Sequence, residues 1–175
     1  MKKIRNSIVF LTAGVVLFVA CQSKREKLNA QIAEAEKQLA VSYTEDVTNR
    51  LVVLYQEYAK AYPQDSLAVE YLFRAADCNM KLKKGTEALA NLDAIIGNYP
   101  DNRRVPECYF FKGFVYEDVL YDMEAAKKAY YEFVGMFPSH ALALDASICI
   151  AYLERGMSTD EIVASFKDST SDIVK

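Results

Sequence analysis

The chain has one histidine, four cysteines and no strongly basic cluster, and each scarcity removes a class of chemistry. With His140 alone, and with no CxxC spacing among Cys21, Cys78, Cys108 and Cys149, the donor set of a conventional zinc site is missing. Gly-rich phosphate loops, nucleophile elbows and metal-binding histidine pairs are absent as well. These absences point to a non-enzymatic protein with no cofactor, no metal and no small-molecule substrate. An odd number of thiols would remain if one cysteine were modified, which does not suit a disulfide framework. Cys78, Cys108 and Cys149 lie in apolar stretches and read as small buried side chains.

The segment with the strongest message is at the start. The 13 uncharged residues from Ile8 to Ala20 follow the basic Met1-Lys-Lys-Ile-Arg5. As a helix they would extend about 20 Å at about 1.5 Å per residue, against a hydrocarbon core of about 30 Å. The run is too short to span and reads as a removable export segment. Its end, Leu17-Phe18-Val19-Ala20-Cys21, resembles a lipoprotein signal peptide, in which a small residue precedes a cysteine that takes a diacylglyceryl thioether. Phe18 stands where that family usually has leucine. The resemblance implies a signal peptide over residues 1–20, lipidation of Cys21 and a short tether over residues 21–27. A bacterial envelope location follows, anchored to the outer membrane by lipid and facing the periplasm. The Lys24-Arg-Glu-Lys27 segment lacks the acidic cluster that resembles a surface-export tag.

Loss of residues 1–20 removes Lys2, Lys3 and Arg5, leaving 18 basic against 24 acidic residues, a charge of about −6. An acidic body without basic clusters argues against nucleic acid and against anionic lipid as a partner of the folded face.

Proline punctuates the remainder. Tyr62-Pro63-Gln64, Tyr99-Pro100-Asp101 and Phe137-Pro138-Ser139 place prolines 37 and 38 residues apart, in the range of stacked repeat units. Between them the apolar residues keep helical spacing, as in Leu89, Leu92 and Ile96 or Tyr130, Phe133, Val134 and Phe137. Each aromatic-proline pair should end a helix, because proline lacks a donor and disfavours helical geometry in the residue before it. A second helix fits into each interval, before Lys83-Lys84-Gly85 and before Leu120-Tyr121-Asp122. Leu28, Ile32, Ala35 and Leu39 predict an earlier helix, and Val47, Leu51, Leu54, Tyr55 and Tyr58 its partner. Ala143, Ala146, Ser147 and Ile150 begin a fourth pair, with Ser158 and Glu161 as a capping box for a last helix through Phe166. Small Ala76 and Gly113 should allow close helix approach beside bulky Leu92 and Tyr130.

This pattern resembles the tetratricopeptide repeat. Leu72, Ala75, Ala76, Ala88, Leu92, Ile95 and Pro100 stand at one unit's characteristic positions, and Tyr109, Gly113, Tyr116, Ala126, Tyr130, Phe133 and Pro138 at the next. The second unit carries one inserted residue in its inner turn and Lys112 where an apolar residue is usual, while Asn79 replaces a tyrosine. The expected fold is all-α: a right-handed superhelical solenoid of about four helix hairpins over residues 28–167, with a polar tail over 168–175. Acidic pairs such as Asp122 and Glu124 then belong to solvated helix faces.

In this repeat family the first helix of each hairpin lines a concave groove. The resemblance therefore implies a protein-binding groove from Glu70, Phe73, Asp77 and Met80 in one unit and Glu107, Phe110, Phe114 and Glu117 in the next. An apolar floor flanked by acids suits an extended or helical protein segment with apolar anchors and some basic residues. Exported repeat proteins with such aromatic-proline endings resemble the outer-membrane lipoprotein of the barrel-assembly machine and the repeat protein of the Tol-Pal system. The implied role is an envelope interaction or assembly module, with a structural spacer as the alternative.

Overall fold

The computed structural model describes residues 24–156. The signal segment, Cys21, the helix expected from Ser158 and the polar tail lie outside the described residues. What is described is all-α: α1 over residues 24–41, α2 Glu45–Ala61, α3 Ser66–Lys81, α4 Gly85–Asn98, α5 Val105–Phe114, α6 Met123–Met136 and α7 Ala143–Glu154. The chain divides into two compact units between Ala68 and Val69, within the first turn of α3.

In the first unit the stripe Leu28, Ile32 and Ala35 is buried, and α2 turns Leu51, Leu54, Tyr55, Tyr58 and Ala59 inward. The Tyr55 hydroxyl donates to Glu36 Oε1 of α1 at 2.8 Å. Thr44 caps α2 by accepting from the Val47 N–H, and Glu45 and Asp46 favour the positive end of the helix. Residues 24–27, expected as tether, already form the first turn of α1.

The aromatic-proline punctuation produces one turn three times. Tyr62, Tyr99 and Phe137 end α2, α4 and α6 with φ/ψ of −132/58, −136/55 and −131/54. Their N–H groups donate to the carbonyls of Tyr58, Ile95 and Phe133, and their own carbonyls accept from Asp65, Asn102 and His140. Those three side chains then accept the backbone N–H two residues on, at Leu67, Arg104 and Leu142. The lone histidine thus does the work that aspartate and asparagine do in the other turns.

In the second unit the inner turns are equivalent but not identical. After α3, Lys83 takes the left-handed conformation at φ 57 and the Lys84 N–H reaches back to the Asn79 carbonyl, a Schellman closure. After α5, Tyr121 takes φ 56, but the Asp122 N–H reaches Tyr116, one residue further back. The extra residue is absorbed by a π-helical turn, Val115–Val119, that continues α5. This is the form taken by the inserted residue visible in the sequence. The Asp122 side chain then caps α6 through the Ala125 N–H at 3.0 Å.

Helices α5, α6 and α7 pack in succession around Ala126, Tyr130, Phe133, Ala146, Ile150 and Leu153. Burying an aliphatic or aromatic side chain of this kind contributes about 1.5–3 kcal/mol. Close approach sets the spacing: a Cβ on Gly113 would lie 2.5 Å from the Tyr130 ring, and one on Gly85 2.5 Å from Leu120. Lys112, unusual in its repeat position, pairs with Asp93 of α4 at 2.7 Å.

Candidate protein-binding face

Glu70 and Glu107 occupy equivalent places near the starts of α3 and α5, and a single arginine lies between them. Arg104 donates to Glu70 Oε2 from Nη2 at 2.7 Å and from Nε at 3.1 Å, and to Glu107 Oε2 from Nη1 at 2.7 Å. Its guanidinium lies over the Phe73 ring at 4.4 Å. Glu70 also accepts from Arg74 at 3.1 Å. Burial pushes the Glu70 carboxyl up, but the bonds from Arg74 and Arg104 outweigh it and hold the group below its ordinary value.

Beyond this node runs an aromatic row. Phe73 meets the edge of Phe111 at 5.5 Å between centroids, and Phe111 meets Phe114 at 6.4 Å. All three rings are half-buried, offering apolar edges while anchored by one another. Asp77 pairs with Lys81 one turn on, at 2.8 Å.

The expected groove residues therefore separate. Glu70, Phe73, Asp77, Glu107 and Phe114 lie partly exposed along α3 and α5. Phe110 is also partly exposed and meets Phe111 at 5.7 Å, but its other ring contacts run toward α6, to Tyr130 and Phe133 at 5.6 and 5.7 Å. Met80 is buried, and Glu117 is buried with Oε2 accepting the Tyr130 hydroxyl at 2.9 Å. The π turn explains Glu117: spacings of three, four and three from Glu107 describe one α-helical face only while the helix stays regular. Added at Val115, a residue rotates Glu117 inward.

Arg104 and Phe111 were missed. Arg104 was legible locally, three residues before Glu107, but its bond to Glu70 crosses 34 positions. Phe111 follows Phe110 directly, and sequence alone does not say which of two adjacent rings faces outward. The three acids here, Glu70, Asp77 and Glu107, are each already ion-paired. The face is thus an apolar strip with compensated charge rather than an acidic one.

Among the described residues no cluster of His, Cys, Asp or Glu could hold a metal ion, and no helix is long and apolar enough to cross a membrane. Residues 70–102, from α3 through α4 into the following turn, match the tetratricopeptide repeat family model. No curated protein matches the chain. The domain is a tetratricopeptide-like array of helical hairpins, a fold suited to protein-protein contacts.

Proposed function

We propose that this chain is a lipid-anchored interaction module of the bacterial cell envelope that binds a protein segment along the α3/α5 face. The observation that carries the reading is the half-buried row Phe73, Phe111 and Phe114. Lipidation at Cys21 is supported by the basic start, the short uncharged run and the Ala20-Cys21 junction. The periplasmic side is supported by the lack of an acidic cluster in Lys24-Arg-Glu-Lys27, and the outer membrane by the likeness to exported repeat lipoproteins alone. A part in outer-membrane protein assembly rests on the likeness of the aromatic-proline repeats alone.

The partner would supply apolar anchors for the aromatic row, and its charges would orient it against Arg104 and the paired acids. The test combines Phe73→Ser with Phe114→Ser, leaving Phe110 and its contacts with α6 in place, in protein whose helicity by circular dichroism is unchanged. Partners cross-linked to the wild type in intact membranes should be lost from the double variant. Full retention by the folded variant would reject this face and favour a spacer role. Acyl labelling and intact mass of membrane-extracted protein test the anchor, and Cys21→Ser should abolish the label.

A further inference from the structure

The first turn of α1 is fastened to the far end of its own hairpin. Arg25 donates from Nε to the Tyr58 hydroxyl oxygen at 3.2 Å, pairs with Asp65, and lies 5.9 Å from the Tyr62 ring centroid. Asp65 Oδ2 also accepts the Tyr58 hydroxyl at 3.0 Å, and its Oδ1 accepts the Leu67 N–H at 2.9 Å. The start of α1, the end of α2 and the turn into α3 are therefore held together at one corner of the first unit. The turn between α1 and α2 lies at the other end, about 27 Å away along a helix rising about 1.5 Å per residue.

Only Gln22, Ser23 and Lys24 separate Cys21 from Arg25. Four residue steps reach at most about 14 Å even when fully extended. A lipid on Cys21 thus keeps this corner within about 14 Å of the bilayer, less than the ~27 Å needed to stand the unit on its other end. Although the body is acidic overall, Lys24, Lys27 and Lys60 are exposed in the first turn of α1 and the last turn of α2, with Glu26 among them, and Leu67 is exposed at the start of α3. Basic side chains at such a position can reach headgroup phosphates.

We propose that the corner formed by Arg25, Tyr62, Asp65 and the turn through Leu67 is the membrane-facing end of the first unit, with Arg25 setting its orientation on a phospholipid surface. This rests on the lipidation of Cys21. The lipid supplies attachment, and the Arg25 contacts convert attachment into a defined pose.

The test uses full-length acylated protein in phosphatidylethanolamine/phosphatidylglycerol vesicles that carry a headgroup-bound quencher. Single fluorophores are placed at exposed Gln64→Cys or Ser42→Cys in a Cys149→Ser background. The label at 64 should lose fluorescence and the label at 42 should not. Equal quenching, or stronger quenching at 42, overturns the orientation. In Arg25→Ala with retained helicity the contrast should shrink, and Arg25→Lys, which keeps a charge but not the fork, should fall between. An undiminished contrast in Arg25→Ala rejects the role of Arg25. Intact mass before reconstitution separates the two levels: unacylated wild type sinks the lipoprotein reading, whereas acylated protein without contrast sinks only the orientation.

Discussion

Glycines in neighbouring helices of this protein have opposite duties. A Cβ at Gly113 meets three atoms of the Tyr130 ring at 2.5–2.8 Å, and that ring is buried and held by Glu117. Gly97 and Gly135, at equivalent places near the ends of α4 and α6, would meet nothing within 4 Å. Alanine raises helix propensity by about 0.5–1 kcal/mol in each case. At Gly113 that gain is opposed by overpacking of about 1–3 kcal/mol. Gly113→Ala should therefore lower the urea midpoint, while Gly97→Ala and Gly135→Ala should raise it slightly. A stabilised Gly113→Ala would show that α5 and α6 do not depend on this contact. Gly85 shows the same duty in a different setting: it follows a turn, yet the left-handed residue there is Lys83, and Gly85 is small because Leu120 approaches it.

Between elements, the Arg104 node ties α3 to α5, and its contribution depends on pH. Glu70 titrates below its ordinary value in the folded protein, so its stabilisation is complete above the unfolded carboxyl value of about 4.3 and is lost as pH falls through the lowered folded value. Because the group is partly exposed, its contribution is about 0.5–1 kcal/mol. Glu70→Gln should unfold at lower urea than wild type near about pH 6, with the gap closing near about pH 3. A gap that does not change with pH would assign the loss to packing rather than charge. Helix ends were legible in the sequence because Tyr-Pro and Phe-Pro impose local backbone geometry. The Gly113–Tyr130 pairing was legible too, since a small and a large residue stood at matched repeat positions. The places of Phe110, Phe111 and Glu117 were not, because a π turn and contacts across hairpins decide them. The start of α1 escaped notice for a similar reason: Arg25 finds its partners 33 and 40 residues away.

At the scale of the whole molecule, the thiols report on the second unit, where Cys78, Cys108 and Cys149 are thiols rather than disulfides. Burial pushes the Cys108 thiol up to about 12, so in the folded protein it is a packed apolar group rather than a nucleophile. At about pH 8 its thiolate fraction falls on the order of a thousandfold below that of an ordinary cysteine with a value near 8.5. Iodoacetamide should therefore modify half-buried Cys149 first and reach Cys108 only through opening of the unit, at a rate that climbs with urea. The same shift makes stability depend on alkaline pH. A raised folded value stabilises fully below about 8.5, and the contribution is lost as pH rises toward about 12, because the unfolded thiol ionises first. By about pH 10 the loss approaches about 2 kcal/mol. Cys108→Ala should be less stable than wild type at neutral pH through its cavity, yet lose less between about pH 8 and 10. If wild type and variant decline in parallel across that range, or if Cys108 is alkylated as fast as Cys149 in native buffer, Cys108 does not lie in a closed core between the hairpins.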